Sequence, residues 1–322
     1  MTKGSRRVER DPWAVARWVE SPAGYATLAA RPMTKSPAIS IVTPHFNGGK
    51  WLRLCVASVA DQEVAHEHIV QDAGSTDGTL EWLPTDARVQ AHVEKDGGMY
   101  DAINRGYRRA TAPLLAHLNC DEQYLPGTLA RVVNFFAQHP EVDMLFGDVV
   151  IVNASGEYLC ERRSLAPQII HTWTASNLAF LTAGTFLRRE VLDRHQLWFN
   201  SSYREAGDQD WALRIARSGV RTATLGEFVS VFTETGANLG LNAHTAVERQ
   251  AFHGTAPLWA RVLAPLALVH FRLRRWRAGH YHCHPHEYSI YPPANPERRA
   301  TFAVTLPTYR WRRTEAPPAV TR

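Results

Sequence analysis

The sequence predicts an α/β protein with a mostly parallel, Rossmann-like sheet covered by helices on both faces. Three observations lead there. Strand-length apolar and β-branched runs alternate with segments of helical spacing, each run stops at a cluster of Gly, Pro, Asn or Asp, and the alternation recurs from residue 38 to residue 122.

The first strand is "AISIVTP" at 38–44, stopped by Pro44 and "FNGG", and "KWLRLCVASVADQ" follows with Leu52, Cys55, Val56 and Val59 on one helical face. "HEHIVQDAGSTDGT" reads as a second strand ending at Asp72 with a Gly/Ser/Thr turn, after which "LEWLP" is expected to start a helix. "VQAHVEKDGG" gives a third strand and a glycine loop, "MYDAINRGYRRAT" a third helix and "APLLAHLNCDE" a fourth strand. Beyond it, "PGTLARVVNFFAQHP" reads as a helix and "VDMLFGDVVIVNASGEYLCERR" as strands joined by an "NASG" turn. Ligands of such sheets bind beyond the carboxyl ends of the strands, which gathers "TPHFN", "QDAGST", "EKDGGMYD" and "NCDE" around one crevice.

A chain of 322 residues can bury one large core with appendages. Residues 1–37 read as an N-terminal arm and linker containing the amphipathic piece "DPWAVARWVE", 38–245 as the α/β domain, and 246–322 as a helical, basic and then proline-punctuated C-terminal tail. Nothing approaches the ~18 to 20 apolar residues of a membrane span. The basic start lacks the apolar block of a secretory signal, and Cys55, Cys120, Cys160 and Cys283 form no CxxC pair, so the expected address is cytoplasmic. Net charge is +5, with Arg272, Arg274, Arg275 and Arg277 beside Phe271, Leu273 and Trp276. The segment "APLWARVLAPLALVHFRLRRWRAG" suits a helix lying on the inner face of a membrane, or else one packed on the main domain or on a dimer partner. Nucleic acid is not an expected partner, because no stacking motif or recognisable module accompanies the arginines.

Chemistry concentrates at the predicted strand ends. Asp121 with Asn119 or Glu122 offers the oxygen donors a divalent Mg or Mn ion takes alongside substrate phosphates; the competing reading is a polar strand terminus. Asp72 can accept hydrogen bonds from a base or ribose, or organise a turn. In "EKDGGMYDAINRG" the paired glycines permit close backbone approach, and Asp101 and Asn104 share a helix face. Asp208 and Asp210 either favour a helix N-terminus or include a general base. His280, His282, His284 and His286 alternate in "HYHCHPHEY", which reads as a zinc tract or as a polar loop.

Together these stretches resemble the family-two glycosyltransferases of GT-A fold, across residues 38 to about 240. The motifs are "SIVTPHFNGGKWLRLCVASVADQ", "VQDAGSTDGT", "EKDGGMYDAINRGYRRATAPLLAHLNCDEQYLPG" and "GDQDWALRIARSG". The resemblance implies an inverting enzyme that uses a UDP- or GDP-sugar, Mn2+ or Mg2+, and a glycan or lipid-linked acceptor in cell-surface polysaccharide or glycoconjugate synthesis. It implies that Thr43 and Pro44 line the nucleotide pocket with Phe46 and Asn47 nearby, and that Asp72 holds the base. Asp96, Gly98, Asp101 and Asn104 would close over the nucleoside, Asn119 and Asp121 would fill the Asp-x-Asp position with Asp121 the metal ligand, and Asp208 would be the catalytic base.

This sequence departs from the family pattern in three places. Asn119 replaces the first acid, Ala73 stands where a second Asp is frequent, and Gly207 stands where many relatives carry Glu beside the base. The alternative these departures motivate is a non-catalytic sugar-nucleotide binding or scaffold protein retaining the fold. His244 is a further candidate for approach to the diphosphate, and Cys120 reads as a small buried side chain.

Overall fold

The structure, a computed structural model, describes residues 36–174, 178–236 and 243–311; the arm's amphipathic piece lies outside them. The expected alternation is present as β1 (Ile39–His45), α1 (Gly49–Ala60), β2 (His66–Asp72), β3 (Gln90–Val93), α2 (Met99–Arg109) and β4 (Leu114–His117). The "LEWLP" segment departs from expectation, making two single turns at Thr79–Glu81 and Leu83–Thr85. Pro84 removes an amide that a longer helix through this point would need. The fourth strand also stops earlier than expected, at His117. The chain then turns through Asn119 and Asp121, and Glu122–Tyr124 forms a separate strand, β5.

After α3 (Thr128–Gln138) come β6 (Met144–Asn153), β7 (Tyr158–Arg162), α4 (Ile169–Thr174), β8 (Thr185–Arg188), α5 (Glu190–Arg194), α6 (Gly207–Ser218) and β9 (Thr222–Glu234). Among the described residues the sheet order is β3-β2-β1-β4-β8-β6-β9-β5, with β7 beside β6. β1 runs parallel to β2 and β4, β2 parallel to β3, and β6 parallel to β9, whereas β8, β5 and β7 run against their neighbours. The register sets His45 opposite Asp72, Asp72 opposite Val93, and Val42 opposite His117. The carboxyl ends of β1, β2, β3 and β4 therefore arrive at one edge. On one face Ile39 and Ile41 pack with Cys55 and Val59 of α1 and with Leu129 and Phe136 of α3. On the other, Val42, Ile69 and Leu115 meet Ile103 and Tyr107 of α2 and Trp211 and Ile215 of α6.

The C-terminal segment contains α7 (Ala243–Gly254), α8 (Leu258–Val262) and α9 (Ala264–Arg277), then the antiparallel pair β10 (His286–Ile290) and β11 (Ala300–Val304). That pair was not legible in the tail, and it belongs to the core. Tyr288, Ile290 and Val304 bury themselves against Val150, Val152 and Val231, and the Tyr288 hydroxyl donates to the Gly156 carbonyl at 2.6 Å. Helix α4 is a hub: Trp173 shares a buried cluster with Leu213 of α6, Phe252 of α7 and Ala260 of α8. Truncating Ile290 to Ala removes a buried side chain between the pair and the sheet. Urea unfolding should then show a loss of about 2–4 kcal/mol, whereas an independent tail would leave the sheet's transition unmoved.

Candidate active site

The floor of the crevice is built around a carboxylate. Asp72 ends β2 with no exposed surface, and Oδ1 accepts from the amides of Gly74 and Ser75 at 2.8 Å each. Its Oδ2 accepts from the Ser75 hydroxyl at 2.7 Å and from His45 Nδ1 at 2.7 Å. The Gly48 amide donates to the other ring nitrogen of His45 at 3.0 Å, so Nδ1 carries the proton that reaches Asp72. Burial opposes charge on Asp72, yet the bonds from His45, Ser75 and Gly74 more than offset it and hold the carboxyl below the usual range. The expectation that Asp72 holds a base thus meets a carboxylate whose acceptor sites are already engaged within the protein.

The neighbouring loops are fastened in the same way. Asn47, in the left-handed region at φ 53°, accepts from the Thr76 amide at 2.8 Å and donates its own amide to the Ser75 hydroxyl at 2.9 Å. Asp77 accepts from the Gly49 amide at 2.8 Å. Phe46 stands 62% exposed at the rim beside buried Pro44. Thr43 points elsewhere. Its hydroxyl is bonded to His68 Nε2 at 2.8 Å inside the layer between β1, β2 and α1, so its side chain does not line the crevice. Burial lowers His68 to about 3, so the ring there is neutral.

On the third side, Asp96 accepts from the Gly98 amide at 2.8 Å, Asp101 accepts from the Gly97 amide at 2.8 Å, and Arg105 pairs with Asp101 at 2.8 Å. Burial pushes Asp96 up, helped by the charge of Asp101. Gly98 has φ 115°, open to glycine and strained for other residues, and the Arg204 guanidinium reaches across to the Gly97 carbonyl at 2.6 Å. Asn104 is occupied elsewhere. Its side-chain amide donates to the Phe199 carbonyl at 2.8 Å and accepts from the Phe199 amide at 2.9 Å, which anchors a loop rather than facing a nucleoside.

The acidic turn after β4 brings Asn119, Asp121 and Glu122 together. Glu122, almost wholly buried, accepts from the Asn119 amide at 2.8 Å and from Nδ2 at 3.2 Å. This fixes the Asn119 side chain with a buried Oδ1 that has no protein partner. Burial pushes Asp121 up, and burial together with the charge of Asp121 pushes Glu122 up. The donor set fits a hard divalent ion that takes a carboxylate and an amide oxygen and completes its shell with phosphate and water. Among the described residues no group of three or more His, Cys, Asp or Glu could hold a metal by itself, the histidine tract included. Cys120, expected to be buried, is half-buried, and desolvation still raises its thiol well above its ordinary value.

Asp208 opens α6, partly exposed, and burial pushes its carboxyl up to about 6 against the pull of Arg249. Glu248 of α7 accepts from the amides of Arg204, Glu205 and Ala206 at 2.8, 3.0 and 2.9 Å, which fixes the approach to α6. The Tyr100 hydroxyl donates to the Glu205 carbonyl and accepts from the Asp208 amide, both at 3.2 Å. Asp210 instead pairs with Arg214 at 2.8 Å. His117, two residues before Asn119, packs against Phe199 and Trp211 with ring centroids at 5.3 and 6.3 Å. Through that aromatic contact the end of β4 and the start of α6 belong to the same side of the sheet. The side chain of His244 lies outside the described residues.

The departure at Gly207 has a steric cause. A Cβ there would lie 2.7 Å from the ring of Tyr100, which is stacked on Phe199 at 5.3 Å. Reading the sequence alone missed His45, Ser75, Tyr100, Arg204 and Glu248. His45 and Ser75 lay within the strand-end motifs, so their position was legible and their partners were not.

Fold and crevice together define a GT-A-type glycosyltransferase. The description of glycosyl transferase family 2 matches residues 40–196. A "PGL/p-HBAD biosynthesis glycosyltransferase" of Mycobacterium tuberculosis is 30% identical over 253 residues, 75% of this chain and 91% of that protein. A Mycobacterium bovis protein of the same description matches over the same extent. The crystal structure of S. aureus TarS 1-349 in complex with UDP has TM-score 0.52 at 18% identity, covering 74% of this chain and 72% of that one. Against the longer S. aureus TarS structure the chain covers only 43% of that chain's length. The chain belongs to glycosyl transferase family 2.

Replacing Gly207 with Ala forces Tyr100 off its stack. Urea unfolding should register a loss of about 1–3 kcal/mol, and a variant as stable as the parent would show that the tyrosine yields without cost.

Proposed function

We propose that this glycosyltransferase moves a sugar from a UDP- or GDP-linked donor to a hydroxyl of a glycan or lipid-linked acceptor, with inversion, in the synthesis of a cell-surface polysaccharide or glycoconjugate. The observation that carries the reading is the placement of Asp208 at the start of α6, its amide bonded at 3.2 Å to the Tyr100 hydroxyl of the helix that follows the glycine loop, with a carboxyl that burial pushes up. A base poised near neutrality is what deprotonating an acceptor hydroxyl requires. The description of the mycobacterial relatives as glycosyltransferases of PGL/p-HBAD biosynthesis and the UDP held by TarS support the donor and acceptor classes.

Asp208 takes the proton of the acceptor hydroxyl as that oxygen attacks the anomeric carbon. The bond from that carbon to the diphosphate oxygen breaks, and one displacement inverts the configuration. Asp121 and Asn119 Oδ1 would hold Mn2+ or Mg2+, which when bound neutralises the charge of the diphosphate leaving group. Glu122 holds the Asn119 amide in the orientation that presents this oxygen. Asp72, His45 and Ser75 fix the loops beneath, and Asp96, Gly98 and Asp101 shape the wall that a nucleoside would meet. Enzyme and acceptor meet at the inner face of the membrane, with the protein bound peripherally.

Asp208→Asn should lower kcat by about a thousandfold or more while a donor's affinity, measured by calorimetry, stays within the range of the parent. Near-parental turnover would remove Asp208 from the role. A base must be unprotonated to act, so kcat/KM should rise tenfold per pH unit in acid and level off above about 6. A flat profile through that range would contradict the assignment. In a thermal-shift titration with UDP, Mn2+ should raise the melting temperature of the parent further than UDP alone and fail to do so for Asp121→Asn. Absence of donor hydrolysis across UDP- and GDP-sugars with metal present would favour the non-catalytic alternative.

A further inference from the structure

The inward side of α9 is fully engaged. Ala267 and Phe271 are buried, His270 Nδ1 is 3.2 Å from His171 Nε2 of α4, and Arg274 donates to the Ala166 carbonyl at 3.0 Å. The outward side carries Leu266, Val269, Leu273 and Trp276 at successive steps of three and four residues, 67, 61, 39 and 59% exposed. Leu258, Trp259 and Val262 of α8 extend the apolar surface, each more than half exposed. This is a helix with two apolar faces, of which only one has a partner among the described residues. Isolated exposed leucines are ordinary in folded proteins, but a contiguous stripe at helical spacing is not.

The charges around the stripe select what covers it. Arg272 and Arg277 flank it on opposite sides, and both are exposed. From Arg249 to His286 the sequence contains no Asp or Glu. Arg261 is held by the Ala256 and Gly254 carbonyls and Arg275 lies over the Tyr281 ring, which leaves Arg272 and Arg277 as the exposed charges beside the stripe. A second copy of this chain meeting face to face would set arginine against arginine with no carboxylate to pair, as a two-fold interface requires. An anionic lipid surface satisfies both parts, because the stripe enters the acyl boundary while the long arginine stems lift their heads to the phosphates.

We propose that α8 and α9 form a docking surface for anionic bilayers, and that α4 keys it to the helix bearing Asp208. The link is physical: Trp173 of α4 shares its buried cluster with Leu213 of α6 and Ala260 of α8, and His171 of α4 meets His270 of α9. Docking therefore sets the attitude of α6 relative to the membrane, which presents the catalytic crevice to an amphiphilic acceptor. The orientation, though not the lipid binding, rests on the glycosyl-transfer reading above.

The test is co-sedimentation of the full chain with phosphatidylcholine vesicles, pure or with a third of the lipid replaced by phosphatidylglycerol, alongside the thermal shift given by UDP with Mn2+. The parent should bind the anionic vesicles only. Val269→Glu with Leu273→Glu should abolish binding, and Arg272→Ser with Arg277→Ser should weaken partitioning by about thirtyfold, the nucleotide response persisting in both. Failure of the parent to bind anionic vesicles, or binding unchanged in both variants, would overturn the proposal. So would a lipid-free dimer, seen by sedimentation velocity, that the glutamates disrupt. A persistent nucleotide response without lipid binding counts against docking alone, and lipid binding without a nucleotide response counts against the catalytic reading.

Discussion

Everything at the carboxyl edge of the sheet depends on the saturation of Asp72. A buried carboxylate without partners would take up a proton or disrupt its surroundings. This one accepts from two amides, a hydroxyl and an imidazole, and each donor left unpaired in its place would cost about 1–3 kcal/mol. Because His45 also takes the Gly48 amide on its other nitrogen, the same network holds the β1 and β2 loops in one arrangement. The crevice floor is thus fixed by the protein itself, and ligand binding need not be spent on ordering it.

Above that floor stand two acidic places with different electrostatic neighbours. Burial raises Asp121, and burial together with the charge of Asp121 raises Glu122, a condition that a cation relieves. Asp208 is raised chiefly by burial and moderated by Arg249, a condition suited to exchanging a proton with a hydroxyl. Burial raises Asp121 and Asp208 alike to about 6, so what distinguishes the two places is the neighbour each carboxyl has, a second carboxylate at Glu122 in one and the Arg249 guanidinium in the other. The aromatic contacts of His117 with Phe199 and Trp211 join the elements that carry the two places.

Much of this was legible because strand ends in a parallel sheet are marked by residue types that only turns favour. "QDAGST", "EKDGG" and "NCDE" announced themselves, and the register then had to bring them together. Side-chain direction was less visible. Thr43 and Asn104 have the right type and place for ligand contact, yet each found a protein partner, His68 or the Phe199 backbone, far away in sequence. Gly207 reads in the sequence as a departure beside Asp208, and only the structure shows that Tyr100 fills the space a side chain there would need. The β10–β11 pair escaped notice because prolines and arginines punctuate it, and its apolar positions acquire meaning only against Val150 and Val231.

The central claim is that the acidic turn after β4 and the start of α6 act on one bound donor from opposite sides of its anomeric carbon. A crystal structure of the Asp208→Asn variant with an intact UDP- or GDP-sugar and Mn2+ tests it most directly. The account predicts the diphosphate against Asp121 and Asn119, with the anomeric carbon facing the substituted side chain at the start of α6 across a gap that an acceptor hydroxyl fits. A donor seated with its sugar turned away from α6, or with its diphosphate remote from Asp121, would contradict it.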